Sequence, residues 1–120
     1  MLFDWTTYKN ELAKSIPGFA KLTPDSLKGY QVLSDANKAN SLLGEKTRQL
    51  ISLAVAVTTR CDGCIGVHTD RAIKAGATRE EVAEALGVAV ALNAGAALAY
   101  SARVLDAYAA IHGAAKSAAK

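Results

Sequence analysis

Residues 45–68 read EKTRQLISLAVAVTTRCDGCIGVH, and this stretch decides the fold. Leu50, Ile51, Leu53, Ala54, Val55 and Val57 cover most of a helical circumference, which predicts a helix over about Glu45 to Thr59. A helix apolar nearly all round is central and buried. One face is the exception: Glu45, Gln49, Ser52 and Ala56 follow helical spacing and form a narrow polar-to-small stripe. Cys61 then opens a further helix. Within it Cys61, Cys64 and His68 stand three and four residues apart and so share a face.

Working outward, the chain reads as helices throughout. Asp4 can cap a first helix to about Ser15, ended by Pro17-Gly18. Thr23-Pro24 starts a second, a capping hydroxyl followed by proline at the first helical position, and it fades near Asn37–Asn40. The Cys61 helix runs to Lys74-Ala75, with Gly76 placed to end it. Thr78 and Glu81 form a capping box, and Val82, Ala85, Leu86, Ala89 and Val90 make a core stripe behind it. Asn93-Ala94-Gly95 reads as a joint before a sixth helix, Ala96 to His112, carrying Leu98, Ala102, Leu105 and Ala109. Residues 113–120 read as a frayed tail. The expectation is one all-α domain over residues 1–120. It is a bundle of about six helices, with the CxxC at the N-terminus of a central helix.

Composition narrows the function classes. The chain has 120 residues, 51% of them hydrophobic, and a net charge of +3 with neutral histidines. The basic residues are scattered without an aromatic-interleaved patch, which argues against nucleic-acid binding. The start MLFDWTTYKN lacks the basic and long apolar regions of a signal peptide. The apolar runs LISLAVAV and GVAVALNAGAALAY are too short or too interrupted to span a bilayer, so a cytoplasmic location without a membrane partner is expected. The high apolar fraction, with small residues such as Ala94 to Ala97, suggests helix surface buried between subunits of a homo-oligomer.

Cys61 and Cys64 are the only cysteines. Helical spacing puts their Cα atoms about 5 Å apart, within the range a disulfide spans. The loop it closes is so small that it stabilises the fold by only about 2 kcal/mol, so reversible redox use is the better rationale. A cysteine near a helix N-terminus has its thiolate favoured by unsatisfied N–H groups; Arg60 helps and Asp62 opposes. His68, one turn beyond Cys64, is placed to take or relay its proton. Zinc is an alternative, since two thiols and a histidine are three ligands, but neither His112 nor Asp70 stands at a recognisable fourth-ligand spacing. His112 reads more simply as a group near a helix C-terminus.

The stretch from Lys46 to Leu86, with its CxxCxxxH and the following AIKAGATREEV, resembles the carboxymuconolactone decarboxylase and alkylhydroperoxidase D (AhpD-like) family, and the match covers about residues 43–100. The resemblance implies an all-α fold assembled as a homotrimer or hexamer, the short chain leaning toward a hexamer. It implies reduction of a peroxide or disulfide substrate by the cysteine pair, without a cofactor or metal. Electrons would return from a dithiol reductant, a lipoylated protein in one branch. It makes Cys64 the peroxidatic thiol, Cys61 the resolving one and His68 the proton relay. The family's glutamate, twelve residues before the first cysteine, is Gln49 here, which hydrogen-bonds but does not titrate. One branch has a second histidine where this chain has Gly63. Glu45, one turn before Gln49, is placed to substitute in part for the missing carboxylate, or simply to decorate the helix start. The other readings are a non-enzymatic redox-sensing or oligomeric scaffold protein, and an enzyme with the lactone decarboxylase chemistry.

Overall fold

The structure, a computed structural model, describes residues 1–120. Five helices follow in order: α1 (Trp5–Leu22), α2 (Pro24–Asp35), α3 (Gly44–Thr59), α4 (Asp62–Lys74) and α5 (Arg79–Ala118). There is no strand. The fold class is all-α, as expected, with five helices instead of six.

The missing boundary is at Asn93. This residue does not break α5; it folds back on it. Its side-chain amide donates to the Ala89 carbonyl at 2.7 Å and to Thr58 Oγ1 at 2.9 Å, which ties α5 to the end of α3. Residues 113–118, expected as a frayed tail, continue the same helix. α1 likewise runs on through Pro17 to Leu22. Proline there forfeits one backbone bond, but Ala13 and Pro17 are exposed, so water can serve the freed carbonyl.

α3 lies at the centre, packed against α4 and α5; α1 lies on α4, and the backbone of α2 comes within 8 Å only of α1. The turn between α3 and α4 is made by Arg60, a non-glycine residue in the left-handed region at φ 54°. That conformation costs on the order of 1 kcal/mol and reverses the chain directly before Cys61. The predicted capping box at Thr78 is present, both Thr78 Oγ1 and the Glu81 carboxylate accepting backbone N–H groups.

The apolar circumference of α3 is not enclosed within one chain. Leu53 and Ala56 are buried, but Ile51 and Val55 are 49% and 55% exposed. The buried residues are Gln49, Leu53, Ala56, Ala72 and Ala89 alone. Every residue from 91 to 120 is exposed. The radius of gyration is 20.9 Å, against about 14 Å for a compact chain of this length. Most of the apolar surface that the sequence predicts as core therefore faces outward in the isolated chain.

Candidate active site

Cys61 is the N-cap of α4. Its backbone is extended, at φ −101° and ψ 99°, and its Sγ accepts the Cys64 N–H at 3.1 Å. The Arg60 turn thus aims the first sulfur at the unsatisfied amides of the helix start. Cys61 and Cys64 form a disulfide, with their Cα atoms 5.2 Å apart.

The polar stripe of α3 meets α4 at His68. Gln49 Nε2 donates to Glu45 Oε1 at 2.6 Å, and Gln49 Oε1 lies 2.7 Å from His68 Nδ1. These two bonds fix the tautomer. With its amide nitrogen committed to a carboxylate, Gln49 turns its oxygen, an acceptor only, toward the ring. His68 Nδ1 must then carry the proton, and Nε2 is left with a free lone pair. A flipped amide would set its oxygen against the Glu45 carboxylate. Gln49 is 2% exposed, so its hydrogen-bonding groups are costly to leave unpaired, and both are paired.

Glu45 therefore belongs to the site by way of Gln49, as the end of a Glu45–Gln49–His68 chain. Burial pushes the His68 pKa below its ordinary value of 6.5; Arg71 and Lys38 push the same way, and Glu45 opposes them. The shift favours the neutral ring, the form whose Nε2 lone pair the site leaves free. Removing the opposing charge by Glu45→Gln moves the His68 pKa further down in the disulfide form, which the ring proton shifts measured against pH by NMR will report. An unmoved or raised pKa would break the proposed chain.

Cys61, Cys64 and His68 open into one hollow of about 380 Å³ between α4 and the α1–α2 hairpin. Its other walls are largely apolar: Leu12, Ile16 and Phe19 from α1, Leu27 and Tyr30 from α2, and Val67. Sequence reasoning did not assign these residues to the site, although Leu12, Ile16 and Phe19 stand at helical spacing and read as one stripe. Gly63 explains how α1 comes so near. A Cβ on residue 63 would lie 2.7 Å from Leu12 Cδ2, so α1 occupies the space that a side chain at this position would take.

A second hollow of about 370 Å³ begins on the far side of His68 and Tyr30. Lys38, Arg48 and Arg71 line it with Ser34, Ser52 and Gln49, and sequence reasoning missed it because these cations come from the α2–α3 loop, α3 and α4. Arg48 Nη2 donates to the Ser34 and Ala36 carbonyls and so holds the end of α2 to α3. The two residues weighed as extra metal ligands are engaged elsewhere. Asp70 pairs with Lys9 and Lys74 at 3.3 and 2.8 Å, and the His112 ring stacks on Tyr108.

Comparisons with known proteins identify the family and the fold. The model of the carboxymuconolactone decarboxylase family matches residues 24–107. An uncharacterized protein of Haemophilus influenzae is 50% identical over 108 residues, 90% of this chain and 96% of its own. Among solved structures, a carboxymuconolactone decarboxylase family protein from Legionella pneumophila, in its apo form, superposes with a TM-score of 0.68. It is 36% identical, and the match covers 87% of this chain and 93% of that one. A protein from Methanobacterium thermoautotrophicum gives a TM-score of 0.65 at 32% identity, over 72% of this chain and 97% of its own.

Proposed function

The chain belongs to the carboxymuconolactone decarboxylase family, and from that premise we propose that it is a thiol-dependent hydroperoxidase. The observation that carries this reading is the shared opening of the Cys61–Cys64 disulfide and His68 into one hollow, with His68 Nε2 left free by the Glu45–Gln49 lock.

In the reduced form His68 Nε2 takes the Cys64 proton. The Cys64 thiolate attacks the distal oxygen of a hydroperoxide; an S–O bond forms, the O–O bond breaks, and the proton returns to the departing alkoxide to give an alcohol. Cys64 is now a sulfenic acid. Cys61 attacks it, water leaves, and the disulfide closes. The helix start favours the Cys61 thiolate for that second step, because the Cys64 N–H points at its sulfur. A dithiol of the lipoyl type then returns the electrons through a mixed disulfide, itself becoming a disulfide. Gln49 orients His68 and does not titrate. We place the protein in a reducing, cytoplasmic setting and assign it a homo-oligomer.

Two other readings each have an observation behind them. Gln49 in place of a titrating carboxylate favours a slow redox sensor, which would oxidise but not turn over. The family's decarboxylase chemistry needs no disulfide, and the cationic hollow beside His68 would suit an anionic lactone. Alkylating the reduced thiols separates these readings. It abolishes repeated hydroperoxide consumption if the peroxidase reading is right. Lactone turnover that survives alkylation would establish the decarboxylase instead, and a single oxidation event per chain with excess dithiol present would establish the sensor.

A further inference from the structure

The two hollows that meet at His68 and Tyr30 follow one line. Along α2 their walls advance from Leu27 through Tyr30 to Ser34 and then to Lys38, just beyond the helix; along α4 they advance from Cys64 through His68 to Arg71. They are therefore successive stretches of one groove between α2 and α4. The groove stays open because no Cα of α2 lies within 8 Å of α4. Its two ends differ sharply in chemistry. The end beyond the disulfide is walled by Leu12, Ile16, Phe19 and Leu27. The other end holds Lys38, Arg48 and Arg71.

The charges at that end do not cancel. Arg48 is bonded to backbone carbonyls, and the Arg71 guanidinium has neither a carboxylate partner nor a hydrogen bond. Lys38 pairs with Asp35 at 3.0 Å, and Glu45 holds Gln49. Arg71 and Lys38 line the same hollow as the His68 ring, and both push its pKa down. Arg71 is seven residues beyond Cys64 on one helix, which sets it roughly 10 Å from the sulfur along the axis.

We propose that this groove binds the hydroperoxide of a long-chain carboxylic acid. The carboxylate lies at Arg71 and Lys38, the internal O–O group at Cys64, and the remaining apolar chain among Leu12, Ile16, Phe19 and Leu27. This rests on the hydroperoxidase reading and specifies its substrate class. A fork of guanidinium donors suits a carboxylate, and the apolar end suits a hydrocarbon tail that has no polar group to satisfy. The hydroperoxide then sits partway along the chain, about 10 Å from the head group, instead of at its terminus.

The test uses decanoate and decanol as unreactive probes of the disulfide form, followed by turnover of a fatty-acid hydroperoxide and of its methyl ester by the reduced form. Decanoate binds at least about tenfold more tightly than decanol. Arg71→Gln removes most of that preference, Arg71→Lys keeps most of it, and the free-acid hydroperoxide has a correspondingly lower KM than its ester. Equal binding of decanoate and decanol overturns the proposal, as does a preference that survives Arg71→Gln. The binding arm needs no catalysis, so failures separate. Arg71-dependent binding of decanoate without consumption of any hydroperoxide leaves the anion subsite standing and sinks the hydroperoxidase reading. Equal turnover of acid and ester keeps that reading and sinks the subsite.

Discussion

Cys64→Ser abolishes hydroperoxide turnover, by more than about a thousandfold, whereas Cys61→Ser stops turnover but leaves one equivalent of hydroperoxide consumed per chain. The asymmetry follows from what surrounds each sulfur. Both line the same hollow, so access does not distinguish them. His68 lies one turn beyond Cys64 and offers a lone pair there, because Gln49 holds the proton on the other ring nitrogen. Cys61 has the helix start instead, with the Cys64 N–H on its sulfur, an arrangement that stabilises a thiolate without supplying a proton for the departing alkoxide. Neither substitution should unfold the chain, since the small disulfide loop contributes only about 2 kcal/mol. Circular dichroism checks that point. Thiol titration after one addition of hydroperoxide then reads the order of the cysteines. The reverse pattern, a single event in Cys64→Ser and none in Cys61→Ser, would exchange their roles.

The second large effect concerns α5. Beyond Asn93 the 40-residue α5 is exposed along its whole length, with little tertiary packing to hold its outer part. Leu98, Val104, Leu105 and Ile111 are each about 70% exposed, and Ile51 and Val55 on α3 face outward beside it. Small residues at Gly87, Ala91, Ala94 and Gly95 allow a second helix to approach closely. By length and composition α5 could also cross a membrane, and the continuous helix removes the interruption that the sequence reading placed at Asn93. Its first half is engaged within the chain, however: Ala89 is buried against α3, Asn93 bonds Thr58, and Lys46 pairs with Glu81 at 2.9 Å. We therefore expect the protein to sediment without detergent as a discrete assembly of several chains. Two buried leucines contribute about 3–6 kcal/mol per subunit, so Leu98→Glu with Leu105→Glu dissociates it and melts the outer turns of α5. Sedimentation velocity and helicity measure both effects. A monomeric wild type of full helicity, or one recovered only with membranes, would contradict this expectation.

Much of the site was legible because helical spacing is local. Cys61, Cys64 and His68 share a face by number alone, and Glu45 and Gln49 stand one turn apart on α3. That these two groups meet, with Gln49 as the bridge, depends on how α3 packs against α4, which no spacing within one helix reveals. The same limit hid Lys38, Arg48 and Arg71, which converge from the α2–α3 loop, α3 and α4. The helix count failed for a different reason. Asn93 and Gly95 carry low helix propensity, but the Asn93 side chain finds partners at Ala89 and Thr58 and the helix continues. Pro17 was misread in the same way, as a stop where an exposed turn tolerates it. The apolar circumference of α3 is enclosed only in part within one chain, at Leu53 and Ala56 and not at Ile51 and Val55, and we expect further copies of the chain to cover the rest.

The central claim is that Cys61 and Cys64 are a two-electron couple for hydroperoxide reduction, and counting thiols tests it most directly. The reduced protein is given a limiting amount of organic hydroperoxide, and free thiols and alcohol product are measured together, before and after addition of a lipoyl-type dithiol. The account predicts two thiols lost for each alcohol formed, recovery of both on addition of the dithiol, and repetition of the cycle. Alcohol formed without thiol loss, or thiols unchanged at a hydroperoxide excess, would contradict it.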